Sequence, residues 1–207
     1  MFDKDIFKKI DSEEKAYWLG FLEADGCLHS GNGNFRIELG LKAEDYYHLE
    51  KYKKFIGKDN KIAYRDKTKS YRYCFRDKTV HGDLIALGCT PTKSLSLVFP
   101  NKEQVPDELL LPFLRGYFDG DGSFWFKNKL GMNILSSKMF LEGLKKRCPL
   151  LKNISIYPIH YDRSDKGQRI QTGNQEIINQ FLYDIYHNAT IYLDRKYHKY
   201  LNYIATL

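Results

Sequence analysis

Cysteine is scarce and scattered in this chain of 207 residues. Cys27, Cys74, Cys89 and Cys148 form no Cys-x-x-Cys pair, which excludes a zinc ribbon and argues against a disulfide framework. The six histidines, among them His29, His81, His160 and His198, contain no His-x-x-x-His or His-Asn-His pattern and receive no catalytic role. No apolar run approaches the ~18–20 residues of a membrane-spanning helix. Met1-Phe2-Asp3-Lys4-Asp5 also lacks the basic and apolar regions of a signal peptide. The expectation is a soluble, intracellular protein of the cytoplasm, nucleoid or an organelle matrix. Acid is in deficit: 26 Asp and Glu against 33 Lys and Arg leave a net charge of +7, which favours a polyanionic partner without naming one. Hydrophobic residues at 43% and aromatics at 15% suffice for a packed core.

What the chain does contain, it contains twice. Trp18-Leu19-Gly20-Phe21-Leu22-Glu23-Ala24-Asp25-Gly26 is followed, 96 residues on, by Leu114-Arg115-Gly116-Tyr117-Phe118-Asp119-Gly120-Asp121-Gly122. Each stretch reads as a helix with small residues four apart, Gly20 with Ala24 and Gly116 with Gly120. Such a bare stripe lets two backbones approach closely. Each helix ends on an aspartate followed by a glycine, the usual residue for a left-handed turn past a helix end. A carboxylate there meets the negative end of the helix dipole at a cost of roughly 0.3–1 kcal/mol. If the stripes pack together, Asp25 and Asp121 lie side by side and need a cation or a proton between them. A divalent metal is the natural guest; plain solvation of two helix ends is the bland alternative. Glu23 and Asp119, two residues earlier and about 200° around the helix, read as structural or solvent-facing.

Along the chain, Ser12 with Glu13 and Glu14 marks the start of the first helix. A hairpin over 27–29 and 35–39, a helix over 44–56, a hairpin near 61–64 and 71–75, and a helix over 79–88 follow. After Asn101 to Pro106 the order begins again: a helix to Asp121, a hairpin over 123–126 and 132–136, a helix over 137–148, strands near 153–160 and 167–172, and a helix from 174 to about 188. A last helix from Leu193 to Ile204 has no counterpart and should cap the second half. The fold class is therefore α+β, two pseudo-symmetric αββαββα repeats divided as 1–100, a linker at 101–106, and 107–207. One strand face is apolar. The other carries Arg36, Glu38, Arg72, Lys127, Asn133, Arg169 and Gln171, with Arg65 and Arg163 in the turns, residue types that read base edges or meet phosphates in the DNA major groove. Any half-buried sheet also shows a polar face.

The two nonapeptides resemble the signature of the LAGLIDADG homing endonucleases, in the single-chain, two-repeat form. The match holds at the glycines, the final Asp-Gly and the small residue before it, and departs at Trp18, Glu23 and Arg115. The resemblance implies paired central helices above antiparallel β-sheet saddles. It also implies a monomer with pseudo-twofold symmetry that cuts both strands of a long asymmetric site in double-stranded DNA. The implied metal ligands are Asp25 and Asp121, assisted by the backbone carbonyls of Ala24 and Gly120. Mg²⁺ is the implied cofactor, with Mn²⁺ as a substitute and Ca²⁺ supporting binding without cleavage. Lys93 and Lys196, each late in its repeat, match the place of the family's active-site lysines; an ordinary surface lysine is the alternative for either. Two other readings compete: a DNA- or RNA-binding protein of the same fold with cleavage lost, such as an intron-splicing maturase or a regulator, and a basic helix-pair scaffold with no nucleic-acid role.

Overall fold

The computed structural model describes residues 2–31, 33–91, 96–159 and 167–207. Helix α1 spans Glu13–Asp25, and the Ser12 side chain accepts from the Lys15 amide at 3.3 Å. Strands β1 (Gly26–His29) and β2 (Arg36–Lys42), helix α2 (Tyr46–Ile56), strands β3 (Ala63–Arg65) and β4 (Ser70–Arg76) and helix α3 (Lys78–Ala86) complete the first set. The second set is α4 (Leu110–Asp121), β5 (Gly122–Trp125), β6 (Gly131–Ser136), α5 (Lys138–Arg147), β7 (Ile156–Pro158), β8 (Gln168–Thr172) and α6 (Gln175–Tyr186), followed by α7 (Asp194–Ile204). Side-chain caps start these helices where the sequence offers them. Asp77 accepts from Thr79 and Val80 at 3.0 and 3.1 Å, Ser137 from Phe140 at 3.0 Å, and Asn174 from Ile177 at 3.1 Å.

Each set builds one antiparallel four-stranded sheet, ordered β1-β2-β4-β3 and β5-β6-β8-β7. Alternation decides the faces. Ile37, Leu39, Tyr73 and Phe75 are buried in the first sheet, and Phe124, Met132, Ile134 and Ile170 in the second. Helices cover these apolar faces, while the alternate residues are exposed or half-buried, apart from Glu38 and Gly131, which are buried. The linker is held firmly against α5. Arg147 donates to the carbonyls of Pro100, Asn101 and Val105 and to Asp107, at 2.7 to 3.0 Å.

The two sheets meet through α1 and α4, whose backbones touch. A Cβ on Gly20 would overlap the Phe113 carbonyl oxygen, and one on Gly116 would overlap that of Tyr17. At Gly120 it would overlap the Ala24 side chain. One expectation fails here. Gly26 (φ −72°, ψ 154°) and Gly122 (φ −91°, ψ 157°) are extended, not left-handed, because the chain passes straight from helix into strand. Glycine is needed for space instead: a Cβ on Gly26 would lie 2.6 Å from the Leu22 carbonyl oxygen, and one on Gly122 would enter the Phe118 ring. Helix α7 also does more than cap its own half, because Asp194 pairs with Lys51 at 2.6 Å and Arg195 with Asp45 at 3.0 Å.

Candidate functional site

The contact of α1 with α4 sets where the two helix-end acids lie. A Cβ on Gly120 would sit 3.3 Å from an Asp25 carboxylate oxygen, so the end of α1 reaches directly over the end of α4. Asp25 is exposed and Asp121 half-buried. Both lie within electrostatic reach of Lys196 and of Tyr117. Beside them opens a recess of about 260 Å³ walled by Glu23, Ala24, Tyr117, Asp121 and Ser136. The structure thus brings Asp25, Asp121, Ala24, Gly120 and Lys196 into one neighbourhood. Lys93 and Arg163 lie outside the described residues, as does His160.

Lys196 is buried, at 7% exposure, on the first turn of α7. Its ammonium donates to the carbonyls of Phe118 (2.5 Å), Gly120 (3.3 Å) and Gly122, which accounts for all three of its protons. Phe118 and Gly120 lie in the last turn of α4 and Gly122 just past it; the Phe118 carbonyl also accepts from the Gly122 amide, so the ammonium adds a second donor where the helix passes into β5. Burial brings the Lys196 pKa down to about 8, and the nearby Asp119 carboxylate opposes that fall. A cation here offsets the negative helix end on which Asp121 stands. It also fixes the Gly120 carbonyl, the same oxygen that the family resemblance offers to a metal.

Asp119 and Glu23 are each 1% exposed, so neither faces solvent. Asp119 accepts from Tyr17 Oη at 2.8 Å, Tyr186 Oη at 2.7 Å and the Leu193 amide at 2.7 Å. Burial raises its pKa, while Lys196 and these donors hold it down. Tyr17 has a single hydroxyl proton and gives it to Asp119. Its contact with His48 Nε2 at 3.0 Å therefore has the imidazole as donor, which leaves His48 Nδ1 unprotonated. Arg115 extends the network across the helix pair, donating to the Ile185 carbonyl at 2.8 Å and to Glu13, which also accepts from the Thr190 amide at 3.2 Å. Sequence reasoning missed Asp119 as the hub of a buried network. Its charge inside an otherwise apolar helix was the available signal.

Strand register puts the polar candidates on the uncovered faces. In the first sheet Arg36 and Glu38 share a face with Arg72, which pairs with Gly40, and with Arg65, which pairs with Ser70. Glu38 is already engaged, 2.8 Å from Arg72. In the second sheet Asn133 sits between Ser123 and Gln171, and Arg169 opposite Leu135. Lys127 is exposed in the β5–β6 turn. The donor set at the helix ends is all oxygen, which suits hard cations such as Mg²⁺ or Ca²⁺. Among the described residues no three His, Cys, Asp or Glu side chains converge on one point. Among the described residues, the Asp25 and Asp121 carboxylates and nearby carbonyls, with Glu23 on the recess wall, are the oxygen groups gathered here.

Two helices meeting backbone to backbone, each running into its own four-stranded sheet, define the fold of the LAGLIDADG homing endonucleases. Among solved structures, I-LtrWI bound to target DNA superposes with a TM-score of 0.63 at 12% identity, covering 94% of this chain and 90% of that one. I-SmaMI bound to cleaved DNA gives 0.64 at 14% identity, covering 95% and 89%. I-SmaMI bound to uncleaved DNA with calcium ions gives 0.62 at 14%, covering 95% and 90%. A curated protein of Methanocaldococcus jannaschii, described as uncharacterized, is 26% identical over 139 residues, 59% of this chain and 47% of that protein. The match spans about half of that relative's length. No protein-family profile matches the chain.

Proposed function

We propose that this chain is a site-specific double-stranded DNA endonuclease of homing type. It hydrolyses one phosphodiester in each strand of a long asymmetric target with the help of a divalent metal, Mg²⁺ foremost. The observation that carries the reading is the placement of Asp25 and Asp121 together at the end of a backbone-packed helix pair, between two sheets with uncovered polar faces. The superposed I-LtrWI and I-SmaMI structures are bound to DNA targets, one of them in the presence of calcium ions. Asp25 and Asp121 would hold a divalent ion, which when bound would neutralise phosphate charge and supply an activated water. The chain does the rest. The duplex is bound by Arg36, Glu38, Arg65, Arg72, Asn133, Arg169 and Gln171 on the uncovered sheet faces, with Lys127 in the β5–β6 turn; Arg163 joins this set on the sequence reading alone. Lys196 fixes the Gly120 carbonyl and the end of α4, so that Asp121 does not swing as charge develops. Lys93 belongs to this proposal as the basic residue that polarises the phosphate or orders the water, a role the sequence also offered to Lys196, whose ammonium is instead committed to three carbonyls. Residues 1–100 and 107–207 serve one half-site each, joined by 101–106, and one chain suffices.

The test is purified protein with Mg²⁺ on a randomised duplex library, followed by the selected site in a supercoiled plasmid. Cleavage at one asymmetric sequence is expected. Asp25→Asn and Asp121→Asn should each abolish cutting of both strands while keeping affinity in Ca²⁺, because each removes a charge and a ligand from a shared cluster. Unimpaired linear product from either variant overturns the metal assignment. Specific binding without cleavage in any divalent ion would return the reading of a silent binder.

A further inference from the structure

The two uncovered sheet faces differ in chemistry. The first is dominated by charge, with Arg36, Glu38, Arg65 and Arg72 on one surface. The second carries large apolar groups in the open: Trp125 is 36% exposed, Leu135 36% and Tyr157 49%. Trp125 lies across Gly131, where a Cβ would enter the indole ring. Trp125 and Tyr157 wall a recess of about 350 Å³ that also includes Arg169 and Gln171. A glycine that makes room for an indole on this face marks a shaped surface, because a side chain with a Cβ at 131 would push the ring off the sheet. The rings of Trp125 and Tyr157 offer an apolar surface in a recess whose other walls include Lys129, Arg169, Gln171 and Thr172. On the major-groove edge of DNA the apolar feature is the thymine 5-methyl group, whereas arginine pairs suit guanine. Arg169 and Lys129 at the same recess complement phosphate charge, which favours a DNA occupant over an uncharged one.

We infer that the second sheet selects thymine through its methyl group, using the recess between Trp125 and Tyr157, while the first sheet reads hydrogen-bonding base edges. The inference rests on the endonuclease reading above. It makes the target lopsided, with thymine required in the half under β5–β8 and guanine favoured in the half under β1–β4.

The experiment uses the selected duplex with deoxyuridine in place of thymidine, one half at a time, which removes only the methyl groups. For the wild-type protein, deoxyuridine in the second half should weaken binding about fourfold per contacted methyl, the factor expected for about 0.8 kcal/mol per buried carbon. The same exchange in the first half should change little. Trp125→Ala should bind thymidine and deoxyuridine duplexes equally, and Trp125→Phe, which keeps a ring, should retain part of the preference; a thermal melt of both confirms the fold. Equal sensitivity in both halves, an unchanged preference in Trp125→Ala, or a selected second half without thymine each overturns the inference and leaves the endonuclease reading standing. Failure to select any duplex overturns both.

Discussion

Asp119 and His48 lie at opposite ends of one buried hydrogen-bond chain, and the Tyr17 hydroxyl joins them. His48 is 2% exposed, and burial with nearby Lys51 brings its pKa down to about 3. The unfolded chain takes up a proton near pH 6.5 that the folded protein refuses. Stability is therefore whole above that pH and falls by about 1.4 kcal/mol for each unit below it, until His48 itself protonates. His48→Gln keeps a donor for Tyr17 but does not titrate. Urea unfolding at pH 7 and pH 5 should show that this variant loses ~2 kcal/mol less on acidification than the wild type. An identical loss would place the acid sensitivity elsewhere. At this scale the site was only partly legible in the sequence. The repeat located Asp25 and Asp121, because duplicated acids at helix ends contradict local electrostatics. It did not reveal that Asp119 is buried, since helical spacing alone does not say which side a second helix covers. Lys196 was legible by position, but the three carbonyls it holds come from residues 74 to 78 positions away.

Among elements, the helix pair depends on the absence of side chains. Gly116→Ala would drive a methyl into the Tyr17 carbonyl and into the Phe21 amide 3.0 Å away, both backbone atoms that cannot rotate aside. A loss on the order of 3 kcal/mol is expected. Gly82→Ala, on the exposed side of α3 with nothing within 4 Å of the new methyl, is the contrasting case. It should stabilise by about 0.5–1 kcal/mol. Thermal melts of the two variants test the assignment, and similar behaviour would refute the close packing of α1 on α4. Element order was the most legible layer. Period-two and helical patterns, with the cap at Ser12, locate strands and helices to within a few residues, and the structure adds caps at Ser137 and Asn174. The misread glycines at 26 and 122 show the limit, because Asp-Gly signals a turn locally while tertiary crowding at Leu22 and Phe118 sets the requirement.

For the whole molecule, the charge of +7 and the polar sheet faces call for counterion release on binding. The affinity of the specific complex should fall linearly in a log–log plot against salt, with a slope of about −0.9 for each phosphate contacted. Replacing the exposed Lys127 with alanine should reduce that slope by roughly one, and a flat dependence would count against a sheet-borne interface. The duplication is also less symmetric than its motif. The position that matches Tyr17 in the second repeat is Phe113, which has no hydroxyl, and the one that matches Asp119 in the first is Glu23. The Tyr17–Asp119 bond therefore has no symmetric counterpart, although other pairs such as Arg115 with Glu13 also join the halves. Two copies of the first half would turn Tyr17 toward a longer acid, and two copies of the second would leave Asp119 facing phenylalanine. The halves have become a plug and a socket, and a chimaera assembled from this chain and another of its shape should be more stable when Tyr17 and Asp119 travel together.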